Sequence, residues 1–474
     1  MWQAVSGWLH AAVAGNELLP SPFSPFVSVH ETVLPQAYRA FPDIPPSVLD
    51  PSFWIGRLTD PHRVLMSEGQ IAQFNRANSA HGKSLEDIWN VAETIPREDL
   101  ISLITEVSRP RAAYRYDERG KRLTRKDIEA FAANIDMKSL PERVTVQYGM
   151  TLRRTVMRAY PTNKKALKEK GALSFDHLIT SAVYAAEPMQ ILAKSLDHQW
   201  LFVQTATVRG WVPAMDVAYG NKQDVLDYAR REPFVVVTSP FVLVPLIDRQ
   251  GEANAHIRLD MGIRLPLADD PGLRREHYVT AALPLMNKEG QLSFAGRAHI
   301  PLADVHHGYL PYTRANIIRQ AFLLHGEPYG WGGSKNARDC SAFLSDIYRT
   351  FGIILPRNTD DQAFESLGLT YNFSKLASTD ERLRLLDSLS VHTPFPLYKP
   401  GHAMLYLGSY EGKHYVIHDA AGFYTLNASG RPVRKRIMQV IISPMESMRE
   451  SDGTLFPDHI HTARDFVYVA AGTP

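Results

Sequence analysis

The stretch "PYGWGGSKNARDCSAFLSDIYRTFGI" (residues 328–353) contains the only cysteine of this 474-residue chain, Cys340. Apolar residues follow it at helical spacing as far as Phe351, and Gly352 closes the run. Asp339 belongs to the residue types preferred as helix N-caps. The pattern therefore predicts a helix that begins at or beside Cys340, directly after a glycine-rich loop.

A cysteine at the start of a helix meets unpaired amide N–H groups and the positive end of the helix dipole, and both stabilise an anion. We therefore expect the Cys340 thiol to have a lowered pKa and to supply a nucleophilic thiolate. The Cys340 amide is also placed to stabilise an oxyanion. Because a lone cysteine is usually a small buried residue, the interpretation requires a base elsewhere in the chain.

Two later segments supply histidines at suitable positions. "GHAMLYLG" (401–408) and "KHYVIHDAAG" (413–422) alternate like strands, and the residues between them resemble a turn. In a hairpin centred on Tyr410, His402 lies opposite His418 on one face of the sheet. One histidine can take the thiol proton while the other orients it. The sequence thus predicts a thiol active site of Cys340, His402 and His418.

The first third of the chain predicts a different architecture. Nine prolines fall between Leu19 and Pro61, which favours an extended arm over a helix. Residues 62–137 look helical, for example "SLEDIWNVAETI" (84–95) and "TRKDIEAFAANI" (124–135), where Thr124 is an N-cap candidate. The first residues contain no run long enough to span a bilayer and no basic n-region, so we expect no intact signal peptide, although a mature exported form remains compatible.

An internal repeat marks the middle of the chain. "GWVPAMDV" (210–217) and the end of "GRAHIPLADV" (296–305) share Pro, Asp and Val at positions 88 residues apart. Alternating stretches, "QWLFVQTATV" and "HYVTAALPLM", precede the two copies and read as strands. We therefore predict two small all-β modules, at 139–225 and 226–305, after an N-terminal region of 1–138. From residue 313, "TRANIIRQAFLLHG" predicts a helix with Thr313 as its N-cap.

The motifs resemble known families. "YGWGGSKNARDCSAFLSDIYRTFGIILPRNTDDQ", "KPGHAMLYLG" and "YVIHDAAG" look like the NlpC/p60-type cysteine peptidases of bacterial cell-wall metabolism, and "QWLFV…GWVPAMDV" resembles the bacterial SH3-like domain. The resemblance implies an α+β papain-like peptidase domain at 306–474, behind two SH3-like β-barrels. This layout is similar to that of the γ-D-glutamyl-L-diamino acid endopeptidases.

Membership in that subgroup implies the function and the roles of the site residues. It implies hydrolysis of the γ-D-glutamyl–diaminopimelate or –lysine bond in peptidoglycan stem peptides that carry a free N-terminal L-alanine. Cys340 is the implied nucleophile, His402 the base and His418 the orienting residue. The resemblance implies that Asp339 pairs with the ammonium group of the L-alanine. The other implied substrate contacts come from the residues around the cysteine and from one tyrosine of the first SH3-like module: Tyr329, Ser341, Thr359, and Tyr160 or Tyr184.

Two other functions remain open. An amidase or acyltransferase would keep the fold and change the reaction. In a non-catalytic wall-binding protein the barrels would hold the wall and the peptidase fold would be inactive. Muropeptides are the expected partners. We expect a monomer without a transmembrane segment, in the cell envelope or periplasm, with a cytoplasmic recycling enzyme as the alternative.

Several signals are weak. A net charge of +2 gives little drive toward nucleic acid. One cysteine excludes an intramolecular disulfide, and "DHIH" (458–461) and "HH" (306–307) lack a third nearby ligand, so we expect neither metal nor cofactor. "GWGGSK" does not have the ending of a phosphate-binding loop. The basic stretch 108–127 could contact nucleic acid or an anionic wall polymer, and a solvated surface is the simpler interpretation.

Overall fold

The computed structural model describes residues 38, 40–82, 84–248, 250–268 and 277–467. Most of the proline-rich arm lies outside these residues. Its described end is partly helical, contrary to the prediction, because prolines occupy the first positions of the short turns Pro46–Leu49 and Pro51–Ile55, where no amide donor is needed. The elements of this region are α1 Pro51–Ile55, α2 Glu68–His81, β1 Thr94–Pro96, α3 Arg97–Val107 and α4 Arg125–Ala132.

One of the two quoted helix predictions in this region is confirmed and the other is wrong. Thr124 caps α4 through a capping box with Asp127. Residues 84–95 instead form turns that lead into β1. The carbonyl of Ile88 accepts hydrogen bonds from Tyr148 and Gln190 of the following module, at 3.1 and 2.8 Å. This backbone is therefore held by distant partners and not by a helix.

The first module contains a single seven-stranded sheet in which all pairs are antiparallel. Its strand order is β5-β4-β8-β7-β6-β3-β9. Trp211 of the predicted "GWV" strand is fully buried beside Phe202. A separate short strand, β2, pairs with β1. The strands are β2 Arg143–Thr145, β3 Gln147–Thr151, β4 Thr155–Arg158, β5 Ile179–Val183, β6 Pro188–Lys194, β7 Trp200–Gln204, β8 Arg209–Pro213 and β9 Val217–Gly220.

The next region begins with α5 Lys222–Arg230, which spans the predicted boundary at 225, and its strands form two sheets instead of one. The orders are β13-β10-β16 and β12-β11-β15-β14. Both copies of the repeat form the same local structure, a 3₁₀ turn that leads into a strand at Val217 or Val305. The strands are β10 Phe234–Val237, β11 Phe241–Ile247, β12 Ala253–Asp260, β13 Arg264–Pro266, β14 Tyr278–Met286, β15 Leu292–Pro301 and β16 Val305–His307.

The C-terminal region is a six-stranded sheet, ordered β17-β22-β18-β19-β20-β21, with helices packed against it. The predicted helix after Thr313 is confirmed, and Thr313 caps it. In the described part of the chain no helix is long and apolar enough to cross a membrane. The elements are α6 Arg314–Leu323, α7 Cys340–Arg349, α8 Thr359–Phe364, β17 Leu369–Asn372, α9 Thr379–Ser388, β18 Phe395–Lys399, β19 His402–Tyr410, β20 Lys413–Leu426, β21 Pro432–Pro444 and β22 Thr462–Asp465.

Candidate active site

Cys340 is the first residue of α7, as predicted, and Asp339 caps the helix by accepting a hydrogen bond from the Ala342 amide. The loop before α7 is rich in glycine for a steric reason. Gly332 and Gly333 have φ values of +59° and +83°, and a Cβ atom at either position would lie within 2.6 Å of the first module's Ile179 or Ala182. The loop therefore brings the start of α7 against the first module.

The electrostatics of Cys340 differ from the prediction. The residue is buried, with 8% of its surface exposed, and α7 packs against β19 and β20. Burial, and then the negative charge of Asp339, raise the pKa of the Cys340 thiol to about 11. The predicted lowering is wrong because desolvation outweighs the stabilisation at the helix start. The Sγ atom lies 3.9 Å from Thr359 Oγ1.

The two predicted histidines contact each other. His402 Nε2 and His418 Nδ1 are 2.7 Å apart, and His418 Nε2 lies 3.0 Å from Ser443 Oγ of β21. Burial lowers the pKa of His418 to about 3. Burial and the neighbouring His418 hold the pKa of His402 well below its usual value. Both rings are therefore neutral at pH 7, and the bond to His418 leaves Nδ1 of His402 for proton exchange.

The histidines meet through a different register from the one predicted. The strands pair Tyr410 with Lys413, so the turn residues are Glu411 and Gly412, and a bulge at Leu407 shifts the pairing again. If the antiparallel pairing continues from Leu405–Ile417, His418 lies opposite Met404 and not opposite His402. The two rings remain on the same face and bond diagonally across the strands.

The Asp339 carboxylate accepts more hydrogen bonds than the sequence indicated. Its Oδ1 accepts from the Ala342 amide and the Ser341 hydroxyl, at 3.1 and 3.3 Å. Its Oδ2 accepts from the Gly332 amide at 3.0 Å and from Arg357 Nη2 at 2.8 Å. Burial opposes ionisation, but the guanidinium and these hydrogen bonds prevail and lower the pKa of Asp339. Asp339 is therefore an ionised partner of Arg357.

The other substrate-binding candidates of the C-terminal region also lie here. Ser341 accepts from Arg357 Nη1 at 2.8 Å. Thr359 begins α8, with its hydroxyl toward Cys340. Tyr329 is 9% exposed, and burial followed by the nearby Cys340 and Asp339 raises the pKa of its phenol. The structure thus brings Tyr329, Ser341 and Thr359 together around the cysteine.

Both tyrosines predicted from the first module are buried. Tyr160 is 1% exposed and packs against Tyr114 and Phe131 in a hydrophobic core, so its assignment to the substrate pocket is wrong. Tyr184 is buried and donates a 2.7 Å hydrogen bond to Asp346 of α7. The first module instead reaches the site through Ser181, which accepts from Arg357 Nε at 2.7 Å.

Sequence reasoning missed three residues near Cys340, His402 and His418. Arg357 and Ser443 hold Asp339 and His418, and Arg357 lies in the quoted "PRNTDDQ" motif. The third is Asp419, which follows His418 in sequence and is fully buried. Neither of its carboxyl oxygens has a hydrogen-bond partner among the described residues. Burial, and then the charge of Asp339, hold its pKa well above the usual value.

Comparison with known proteins identifies two domains. Residues 326–441 match the NlpC/P60 family, and residues 163–213 match the SH3 domain of the SH3b1 type. A gamma-D-glutamyl-L-lysine dipeptidyl-peptidase of Bacillus cereus is 26% identical over 156 residues, 32% of this chain and 43% of that protein. A probable endopeptidase of Corynebacterium glutamicum is 29% identical over 104 residues, 22% of this chain and 49% of that protein.

The chain spans less than half the length of these two relatives. An NlpC/P60 endopeptidase from Photobacterium damselae subsp. piscicida superimposes with a TM-score of 0.68 over 87% of this chain and 96% of its own, at 17% identity, which shows a shared fold. The sequence resemblance to the two families is thereby confirmed. The chain carries a domain of the NlpC/P60 family, which contains Cys340, His402 and His418, behind an SH3 domain of the SH3b1 type.

Proposed function

We propose that this chain is a cysteine endopeptidase that hydrolyses the γ-D-glutamyl–L-diamino acid bond of peptidoglycan stem peptides. The observation that carries the proposal is the hydrogen-bonded series Ser443–His418–His402 on the sheet that packs against the helix of Cys340. The name of the Bacillus cereus relative supports the choice of bond. Because the proposed substrate is a wall component, we place the enzyme in the cell envelope.

The reaction begins with a neutral thiol and a neutral imidazole. His402 Nδ1 takes the thiol proton as the sulfur attacks the γ-carbonyl carbon, and the carbonyl electron pair moves onto the oxygen. The Cys340 amide, at the first turn of α7, stabilises this oxyanion. His402 then returns the proton to the leaving amine as the C–N bond breaks. A water molecule, deprotonated by His402, hydrolyses the thioester and restores the thiol.

We further propose that the substrate needs a free N-terminal L-alanine. Near Tyr329, Arg357 already neutralises Asp339, whereas the buried Asp419 lacks a hydrogen-bond partner among the described residues. Arg338 favours ionisation of Asp419 but is paired with Asp346 at 2.6 Å, and Glu327 adds a negative charge that raises the pKa of Asp419. An ammonium group beside Tyr329 would offset this repulsion and favour the ionised form of Asp419.

Mass spectrometry of L-Ala-γ-D-Glu-diaminopimelate, of its lysine counterpart and of N-acetylated copies tests both parts. We expect the wild type to release L-Ala-D-Glu from the free-amine peptides, and Cys340→Ala to release none. The His402→Gln variant should lose at least about 100-fold in kcat, the usual contribution of a general base. His307→Gln, on the exposed end of β16, is the matched control and should keep full activity.

The amine requirement has its own readout. Asp419→Asn keeps the shape of the side chain but cannot ionise when the ammonium group binds. It should therefore raise KM for the free-amine peptide and reduce the ratio of kcat/KM for that peptide to kcat/KM for the acetylated copy. Equal cleavage of both copies by the wild type would refute the amine pocket and leave the peptidase intact. Products formed by acyl transfer in place of hydrolysis would favour the alternative reaction, and an inert wild type would refute catalysis altogether.

A further inference from the structure

Two basic segments that are separate in sequence form one surface. The Tyr116 amide donates to the Leu167 carbonyl at 2.9 Å, and the Leu167 amide donates back to Tyr116 at 2.8 Å. Lys170 lies against Gly120, where an added Cβ atom would be 2.9 Å from the lysine Cε. We call residues 109–126 and 164–170 the basic platform. Because residues 164–170 join it, the basic surface is larger than the stretch 108–127 alone indicated.

The basic platform concentrates the positive charge of the chain. It holds twelve of the 52 basic residues and three of the 50 acidic residues, a net charge of +9 in a chain whose net charge is +2. Arg125 is the one of the twelve with an ion pair in the described part, to the exposed Glu129. Eleven of the twelve side chains are exposed: Arg109, Arg111, Arg115, Arg119, Lys121, Arg122, Arg125, Lys126, Lys164, Lys168 and Lys170.

This charge is kept at a cost in stability. Arg125 and Lys126 occupy the first turn of α4, where the helix dipole disfavours cations. The nearby acidic side chains accept hydrogen bonds from the backbone. Asp127 completes the capping box of α4, and Asp117 accepts hydrogen bonds from the amides of Arg119 and Lys121. Crowded like charges repel unless a ligand neutralises them. The arrangement is therefore that of a binding surface for a polyanion.

The aromatic residues of the platform argue against single-stranded nucleic acid, which is bound largely by stacking of bases on exposed rings. Tyr114 is 4% exposed and packs against Tyr160 in the core of the first module. Tyr116 is half-buried and pairs with Leu167. We propose that the basic platform binds a flexible anionic wall polymer whose phosphate or carboxylate groups repeat along the chain.

The platform leads to the rim of the candidate active site. Phe175 and His177 follow it in sequence and pack against Tyr329 and Trp331, with ring centroids 6.1 and 4.8 Å apart. After burial, the charges of Lys168 and Arg111 are among the causes that lower the pKa of His177. Lys335 of the glycine-rich loop contacts Ser174 at 3.3 Å. A polymer on the platform would thus hold attached stem peptides near Cys340, while the binding itself requires no peptidase activity.

Calorimetric titration of the full chain with poly(glycerol phosphate), with polygalacturonate and with neutral dextran tests the proposal. The platform variant is Arg119→Glu, Lys121→Glu and Arg122→Glu together. The matched control, Arg431→Glu, Arg434→Glu and Arg436→Glu, makes the same change of charge at exposed positions of the β20–β21 hairpin. We expect the platform variant to lose at least about tenfold in affinity at 0.1 M salt and to show a shallower salt dependence.

A second variant, Lys168→Glu with Lys170→Glu on the other segment, should reproduce the loss if the two segments act as one surface. Preference for the phosphate or for the carboxylate polymer identifies the charged group, and either supports the proposal. Three results would overturn it: equal weakening by the hairpin variant, binding of dextran with similar affinity, or tighter binding of single-stranded DNA through the same platform residues.

Discussion

At the scale of single residues, the protonation state of Cys340 decides how the thiol reacts. Burial raises its pKa to about 11, and the deprotonated form is the one that reacts with alkylating agents. Below this pKa the thiolate fraction grows with pH. We therefore expect the rate of alkylation by iodoacetamide to rise about tenfold per pH unit between pH 7 and 10. Because the chain has one cysteine, intact mass reports Cys340 directly.

His402→Gln provides the control for this measurement. If the free enzyme holds a neutral thiol and a neutral imidazole, the substitution leaves the slope of the alkylation profile unchanged. A rate that is already maximal near pH 6, and that falls in the variant, would show a preformed thiolate–imidazolium pair and would contradict the electrostatics described for the site.

The proposed catalytic residues Cys340, His402 and His418 could be predicted because their signals are local. A helix start, a glycine-rich loop and two alternating strands are visible in the order of residues. Arg357 could not be assigned in this way, because its partners Asp339 and Ser341 lie 16 to 18 positions away and Ser181 lies in another module. The raised pKa of Cys340 also depends on tertiary burial, which a motif does not encode.

At the scale of elements, the β19–β20 hairpin shows the same limit. The strands were predictable from alternation, but the register was not. Glu411 and Gly412 both have positive φ, +49° and +71°, as in the two-residue turns that suit hairpins. The bulge at Leu407 then adds one residue to β19. Bulges depend on packing against neighbouring elements, so a symmetrical hairpin drawn from sequence placed His418 two positions from its observed partner.

The helices also divide into those set by local sequence signals and those set by tertiary contacts. Those with local caps, such as α4 behind Thr124 and α6 behind Thr313, begin where the sequence predicts. The predicted helix at 84–95 failed because the Ile88 carbonyl bonds to Tyr148 and Gln190 of the first module. Local capping was readable in the sequence, and this competing tertiary contact was not.

Strand β21 contributes Ser443, whose role follows from the tautomers of the histidines. For His402 Nδ1 to accept a proton, its Nε2 must donate to His418 Nδ1, so His418 Nε2 must donate to the Ser443 hydroxyl. Ser443→Ala removes that acceptor and favours the opposite tautomer in both rings. We expect kcat to fall about 10- to 100-fold, as for other groups that orient a ligand or base through hydrogen bonds, with KM little changed.

Ser443→Thr keeps the hydroxyl and should restore most of kcat. Steady-state kinetics of both variants on the free-amine peptide separate the two possibilities for this residue. If the Ser443 side chain contributes only to packing, kcat of Ser443→Thr should be no higher than kcat of Ser443→Ala. A loss confined to KM would likewise remove the proposed positioning role.

At the scale of the whole molecule, buried charges join the modules to the C-terminal NlpC/P60 domain. Asp346 of α7 accepts from Arg338 Nε at 2.6 Å and from Tyr184 of the first module at 2.7 Å. Arg154 of the first module pairs with Asp260 of β12 at 3.0 Å and donates to the Ala337 carbonyl at 2.7 Å. These groups lie directly behind the start of α7, so the position of Cys340 depends on all three regions.

This network predicts that the regions unfold together. Asp346→Asn leaves Arg338 buried without its main counter-charge, which typically costs about 3–5 kcal/mol, whereas Tyr184→Phe removes one hydrogen bond, worth about 1 kcal/mol. Hydrogen exchange at increasing urea should show the amides of α7 and of β7 losing protection in one transition, shifted far more by Asp346→Asn than by Tyr184→Phe. Asp43→Asn, on the surface, is the control and should leave the transition in place. Separate transitions for α7 and β7 in the wild type would show that the buried charges do not couple the modules, and that the C-terminal domain alone assembles the candidate active site.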